Sequence, residues 1–318
     1  MLYLGIDLGG TNIKVGLVTE EGRVVRTVSA PTNLPRSAEE VCGDMVCLCR
    51  EVLDAAGETA AAVGVGCPGT VDDESGRVVY SNNLGWVDFP LRDYLAARLS
   101  LPVTIGNDAN VAAYGEAVAG CAKGTQSAVI LTLGTGVGGG VILNGRLLTG
   151  YTGAASELGH MVIVEDGVPC SCGRKGCLES YASATALIRM TREAMAEHPE
   201  SLLHTAALLE DGVSGRTAFD AAELGDESAK AVVRRYEHGL SVGIANIINI
   251  FFPEVIGLSG GVANQGEKLL VPLRAEVESM VFGHAYAKRK TRLVACTLGY
   301  HAGVIGGAML ARQSLSGD

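Results

Sequence analysis

The run SELGHMVIVEDGVPCSCGRKGCLES, residues 156–180, places Cys170, Cys172 and Cys177 within eight positions, with His160 ten residues before the first of them. One imidazole and three thiolates in the pattern H-x9-C-x-C-x4-C form a tetrahedral ligand set for Zn²⁺, with Gly173 and Gly176 turning the chain between them. Four protein ligands leave no coordination position for water, so a zinc held this way is structural and not hydrolytic. Cys170 and Cys172 are too close in sequence for a relaxed disulfide. The alternative is a trio of cysteines buried for packing. Glu157 and Glu179 bracket the run. A metal that folds it fixes both carboxylates, whose acceptor oxygens suit a polyhydroxylated, uncharged ligand such as a sugar. Either glutamate alone reads equally as a solvated surface acid.

Three glycine segments suggest phosphate binding: DLGGTN (7–12), LGTGVGGG (133–140) and LSGGVAN (258–264). Gly9 and Gly10 let the backbone approach a phosphate closely, and successive N–H groups there form an anion-binding concavity. Thr11 and Lys14 add a hydroxyl and a positive charge, and Asp7, at the end of a strand, is placed to hold Mg²⁺ directly or through water. A glycine hairpin with an edge aspartate is the plainer reading of DLGGTN alone. The P-loop and dinucleotide fingerprints are both absent. In IGNDAN, Asn107 and Asp108 stand where a strand gives way to a helix. Asp108 is either the N-cap of that helix or, beside a nucleotide site, the carboxylate that orients an alcohol and accepts its proton during phosphoryl transfer. Asn107 can serve a neighbouring hydroxyl with its amide.

These residues need a scaffold, and the chain is long enough to build one: 318 residues, 47% of them hydrophobic. A net charge of −10 disfavours nucleic acid, and the densest basic run, KRKTR at 288–292, reads as a solvated loop. The N-terminus has no basic leader, and the longest apolar run carries two Asn, a Pro and a Glu, so neither a signal peptide nor a membrane span is expected. Nine cysteines, an odd number without a secretory signal, point to free thiols in a reducing cytoplasm. MLYLGID, IKVGLVT and VVRTVSA read as strands. A helix runs from the cap Ser37 to Gly57, followed by a strand AAVGVGC, a loop PGTVDDESG, a strand PVTIGND and a helix ANVAAYGEAVAG. Three strands followed by an interleaving of helices and strands predict an α/β domain with a mixed sheet. SAVILTLGTGVGGGVILNGRLL repeats the opening layout of strand, glycine turn, strand, hairpin, strand, which suggests two related lobes meeting near Gly120. Helices at about 181–196, 202–211 and 226–250, a strand EVIGLSG, a helix from Val262, a strand TRLVACT and a last helix complete the reading.

DLGGTNIK, GVGCPGTVD, GNDANVAAYGE, LGTGVGGGVI, ELGH and CSCGRKGCLESYAS, with GLSGGV further on, fall in the order they take in the ROK family of repressors and sugar kinases. The chain resembles that family, and within it the bacterial zinc-containing glucokinases. The resemblance implies ATP-dependent phosphorylation of glucose at its 6-hydroxyl. It implies a two-lobed ribonuclease-H-like α/β fold of the actin/hexokinase superfamily, with an interdomain cleft that closes on the sugar and expels water. Asp108 would be the base. Gly69, Thr70, Asn82, Asn107, Asp108, Glu157, His160 and Glu179 would bind the sugar. Asp7, Gly9, Gly10, Thr11, Asn12 and Lys14, with Gly134, Thr135, Gly136, Gly138, Gly260 and Gly261, would hold ATP and Mg²⁺. His160, Cys170, Cys172 and Cys177 would bind zinc. The last helix would pack back on the first lobe, giving a small lobe of 1–118 plus 302–318 and a larger one of 119–301. The family's habit also implies a homo-oligomer, dimer or tetramer. Ser156 stands where the family often has Gly, and NNLGW (82–86) lacks the family's proline. The alternatives are a kinase for fructose, allose, mannose or N-acetylmannosamine, or a sugar-responsive repressor without its DNA-binding domain.

Overall fold

The computed structural model describes residues 1–316, so the last two positions of the expected 302–318 segment lie outside the described residues. Contacts divide the chain into two compact units: Met1–Ile130, Gly140–Ser156 and the segment from Thr297 in the first, Leu131–Gly139 and Glu157–Cys296 in the second. These bounds differ from the expected lobes of 1–118 plus 302–318 and 119–301, whose first boundary comes from the repeat and whose second the resemblance implies. A repeat marks where a pattern recurs, not where contacts thin out.

The chain opens with strands β1 (Leu2–Leu8), β2 (Asn12–Thr19) and β3 (Val24–Pro31), helix α1 (Ala38–Ala56) and strand β4 (Val63–Cys67). Short strands β5 (Thr70–Asp72), β6 (Arg77–Ser81) and β7 (Trp86–Phe89) follow, then α2 (Leu91–Leu99), β8 (Val103–Asn107) and α3 (Asp108–Ala119). The first sheet has the order β3-β2-β1-β4-β8; β1, β2 and β3 pair antiparallel, while β4 runs parallel to both β1 and β8. That is the mixed sheet expected from the element order. α1 has the ends its sequence announces. Ser37 Oγ accepts the Glu40 N–H at 3.3 Å, the Glu40 carboxylate accepts the Ser37 N–H at 2.9 Å, and Gly57 ends the helix at φ 65°. The small sheet β5-β6-β7 puts its first strand inside the expected loop PGTVDDESG. Its first strand is only three residues long, too short to show a period in sequence.

The second half carries β9 (Ala128–Leu133), β10 (Val137–Leu143), β11 (Arg146–Leu147), α4 (Glu179–Ala182), α5 (Ala184–Glu197), α6 (Leu203–Leu209), α7 (Thr217–Glu223) and α8 (Glu227–Phe251). It ends with β12 (Val255–Ser259), α9 (Glu267–Met280), β13 (Arg292–Ala295) and α10 (Ala302–Ser316). The second sheet has the order β11-β10-β9-β12-β13. The helix expected at 181–196 is divided at Ser183, α7 is an addition to the reading, and the helix expected from Val262 begins as a 3₁₀ turn. Gly266, at φ 59°, breaks that turn from α9.

Helix α10 packs on β1, β4 and α3, all within the first unit. The approach is backbone to backbone. A Cβ on Gly5 would collide with the Val304 carbonyl, and one on Gly64 with that of Gly307. The far end of α3 is anchored by Glu116, only 1% exposed, whose carboxylate accepts N–H groups of Cys121 at 2.9 Å, Thr297 at 3.1 Å and Leu298 at 2.8 Å. A buried charge is tolerable when hydrogen bonds satisfy it in this way. The result is a fixed platform for the other end of α3, which carries Asp108.

Glu237 on α8 is 8% exposed. Burial, helped by the nearby Glu276 carboxylate and opposed by Arg234, pushes its carboxyl up to about 7. The folded protein therefore binds this proton more tightly than the unfolded chain does. Stability is fully present below the ordinary carboxylate range and is lost as pH rises toward 7. The full loss is ~3 kcal/mol. Glu237→Gln should raise the melting temperature by roughly 4–8 °C at pH 8 and leave it unchanged at pH 5. Thermal scans across that range check it; a pH-independent difference would assign the effect to packing.

Candidate active site

In the first unit the structure gathers Gly69, Thr70, Asn82, Asn107 and Asp108. Asn107 ends β8 and is itself the N-cap of α3: its Oδ1 accepts the N–H groups of Ala109 at 3.0 Å and Asn110 at 3.2 Å. Its Nδ2 donates to the Gly69 carbonyl at 3.0 Å. Asp108 is thus the first residue of α3 and not its cap, half-buried, with Oδ1 accepting the Ala109 N–H at 2.9 Å. Beneath it, burial pushes the Cys67 thiol well up, and the charge of Asp108 adds to that shift, so this sulfur stays an inert thiol. Gly69 has φ 111° and lies so close to the Tyr80 carbonyl that any Cβ would collide. Asn82 follows β6, and its Oδ1 accepts the Tyr80 hydroxyl at 3.2 Å. Gly69, Thr70 and Asn82 are exposed.

The DLGGTN turn belongs to the same unit. Asp7 and Lys14 are direct cross-strand partners, with Nζ 3.5 Å from the carboxylate and 5.1 Å from the centre of the Tyr300 ring. The Gly9 N–H donates to the Asn12 carbonyl at 2.9 Å, and Thr32 Oγ1 donates to the Gly9 carbonyl at 2.7 Å, so the turn is held from behind. Gly10, Thr11 and Asn12 are exposed.

In the second unit the other two glycine segments meet. Gly260, at φ 91°, has no room for a side chain because the Leu133 carbonyl fills that space. Gly134, Thr135 and Gly136 form the β9–β10 turn, braced by the Ala184 N–H on the Gly134 carbonyl at 2.8 Å and by the Thr185 hydroxyl on the Thr135 carbonyl at 2.7 Å. Gly138 lies in β10, and Gly261 is exposed beyond β12.

The cysteine run folds into a compact knuckle. One ligand atom from each of His160, Cys170, Cys172 and Cys177 can be chosen so that all lie within 4.8 Å of one another. Cys170 Sγ is 3.6 Å from His160 Nδ1 and Cys172 Sγ is 3.7 Å from Cys177 Sγ, and all are free thiols. Tetrahedral zinc with ordinary bond lengths sets S···N at about 3.6 Å and S···S at about 3.8 Å. The four residues fit the metal. Burial, then the thiols of Cys172 and Cys170, push the Cys177 thiol up to about 12, a shift a divalent cation would reverse. Bridges pair Val162 with Cys177 and Pro169 with Lys175. Gly176, at φ 78°, passes so close to the Val164 carbonyl that only glycine fits.

Three residues expected to bind sugar surround this knuckle. Glu157 precedes the one-turn 3₁₀ helix Leu158–His160, and a spacing of three in such a turn stacks Glu157 and His160 on one side. Glu179 starts α4; its Oε2 accepts the Val137 N–H at 3.1 Å and its Oε1 accepts the Ser171 hydroxyl at 3.1 Å. Ser156 takes φ 69°, the left-handed backbone that the family's usual glycine adopts freely. Tyr80, Ser171 and Thr185 are positioning contacts that the sequence reading omits. Their residue types allow hydrogen bonds, but nothing in the sequence says what they reach.

The ROK family model matches residues 3–314. The chain belongs to the ROK family. It is 39% identical to the glucokinase of Thermotoga maritima over 315 residues, covering 99% of this chain and 98% of that protein. The glucokinase of Streptomyces griseus, solved with glucose and AMPPNP, superposes with a TM-score of 0.81 at 36% identity, over 98% of this chain and all of that one. The ROK hexokinase of Thermus thermophilus gives a TM-score of 0.86 at 32% identity, with 100% coverage of both chains. These ROK kinases share the actin/hexokinase-like architecture expected from the sequence. Among the described residues, no helix is long and apolar enough to cross a membrane.

Proposed function

We infer that this ROK protein is a glucokinase, transferring the γ-phosphoryl group of ATP to the 6-hydroxyl of glucose. The carrying observation is Asp108, at the carboxyl end of a sheet strand and the head of α3, grouped with Gly69, Thr70, Asn82 and Asn107. Ligands in open α/β sheets bind off such strand ends. The Asp108 carboxylate takes the hydroxyl proton as the new P–O bond forms, and it orients that hydroxyl toward the phosphorus. Asn107 and Asn82 offer amide donors and acceptors, and the exposed backbone at Gly69 and Thr70 completes the polar surface. Glu157, Glu179 and the Nε2 face of His160 receive sugar hydroxyls. His160 Nδ1, Cys170, Cys172 and Cys177 would hold zinc, which supplies rigidity and no chemistry.

The glycine segments at 9–12, 134–138 and 260–261 hold the phosphates of ATP, with Lys14 adding charge. Asp7 suits Mg²⁺, which usually keeps several waters and takes one or two protein carboxylates beside substrate phosphates. When bound, that ion neutralises phosphate charge. The net charge of −10 disfavours nucleic acid as a partner, the odd number of cysteines suits a reducing cytoplasm, and the family's habit supports a homo-oligomer. The test is a panel of glucose, fructose, mannose, allose and N-acetylmannosamine with ATP and Mg²⁺. Glucose should have the highest kcat/KM, by at least about tenfold, because a misplaced hydroxyl leaves fixed polar groups unpaired. A stronger preference for another sugar overturns the assignment to glucose.

A further inference from the structure

Glu179 joins two motifs, the glycine turn before Val137 and the knuckle around Ser171, that lie 34 positions apart in sequence. Oε2 takes the Val137 N–H of the glycine turn, and Oε1 takes the Ser171 hydroxyl from between two knuckle cysteines. Cys170 Sγ also lies 3.7 Å from Oε1, a long contact from a weak donor. Gly136 makes room for the carboxylate, since a Cβ there would collide with Oε2. The long glutamate side chain has several soft torsions, and one hydrogen bond leaves its carboxylate plane free to turn. A second bond on the other oxygen sets the plane. The Val137 N–H is backbone and is supplied by the fold. The Ser171 hydroxyl is a sequence choice at an exposed position that packs no core.

We propose that Ser171 is a positioning residue for sugar binding. Its hydroxyl holds Glu179 Oε1, so that the carboxylate turns its remaining lone pairs toward a sugar hydroxyl. This rests on the reading of Glu179 as a sugar ligand. Alanine at 171 removes the donor, aspartate there would set a like charge against Glu179, and threonine keeps the hydroxyl. The knuckle then acts on sugar affinity through a named atom, beyond holding its own loop in shape.

The experiment measures glucose binding by calorimetry, without ATP, on zinc-loaded wild type, Ser171→Ala, Ser171→Thr, Glu179→Gln and the Ser171→Ala/Glu179→Gln double variant. Ser171→Ala should weaken binding by about three- to tenfold, the net range for losing one ordinary hydrogen bond, here acting on the sugar through Glu179. KM for glucose should rise by the same factor while kcat moves less. Zinc content and melting temperature should hold at wild-type values, and Ser171→Thr should bind as wild type does. In the Glu179→Gln background, Ser171→Ala should add little. Wild-type affinity in Ser171→Ala sinks the proposal, as does an equal loss in the Glu179→Gln background or a loss that tracks zinc. Should Glu179→Gln itself bind glucose normally, the reading of Glu179 fails and the proposal falls with it.

Discussion

Asp108→Ala should lower kcat for glucose phosphorylation by about 10²- to 10⁴-fold, the range for losing a general base, while the protein stays folded and still binds glucose. The structure separates these outcomes. The cap of α3 is Asn107, so removing the Asp108 carboxylate leaves the two N–H groups capped by Asn107 satisfied. Alanine has the best helix propensity, which suits the first turn. The other end of α3 is held by Glu116, and its flank by α10, neither of which involves Asp108. The melting temperature should therefore stay within about 3 °C of wild type, since surface changes away from caps and cores stay near ±0.5 kcal/mol. Steady-state kinetics with calorimetry on the same preparation give both readings. The informative control is Asn107→Ala, which removes a cap worth ~1 kcal/mol and the bond to Gly69, and so lowers stability together with activity. If Asp108→Ala turns over within tenfold of wild type, the base lies elsewhere and the mechanism is wrong.

Asn107 and Asp108 also show where sequence reasoning stops. Asn and Asp are equally good N-caps, and they are adjacent, so composition cannot choose between them. The choice is made by where β8 leaves the sheet, in the register that pairs Cys67 with Asn107. Local signals were readable wherever both ends of an element carried one, as at Ser37, Glu40 and Gly57 around α1. They failed where an element was too short to show a period, as at β5, or where a single glycine such as Gly266 broke a helix. The clustering of His160, Cys170, Cys172 and Cys177 was legible because metal geometry ties residue type to spacing. The partner of Glu179 was not, because Ser171 is eight residues away along a chain whose path the knuckle decides. A hydroxyl between two cysteines carries no sign of what it reaches. The glycines at 5 and 64 were noticeable only as a high count; their reason, contact with the backbone of α10, is a tertiary fact.

Removing the metal should weaken sugar binding and stability together. Cys172→Ser is expected to drop zinc from about one ion per chain to a small fraction and to lower the melting temperature by roughly 5–10 °C. Glucose affinity should fall by at least about tenfold, within the range seen when metal-site order is lost. The argument lies in what the knuckle connects. The Leu178 N–H donates to the Met161 carbonyl at 2.8 Å and the Ile163 N–H to the Gly176 carbonyl at 2.8 Å, so the segment after His160 is laced to the segment around Cys177. Glu157 and His160 sit just before that lacing, and Glu179 just after it. Without a cation, the buried Cys177 favours its protonated form, and a proton bridges no other ligand. Three thiols and an imidazole are then held only by those hydrogen bonds and by packing, on a segment rich in exposed residues. Metal analysis of the purified protein comes first, followed by calorimetry with glucose before chelation, after chelation and after zinc is restored. Wild-type protein should recover on restoration and Cys172→Ser should not. Glucose affinity that survives the loss of zinc would mean that Glu157, His160 and Glu179 are placed by the lacing alone. The cysteines would then be holding a loop that the site does not need.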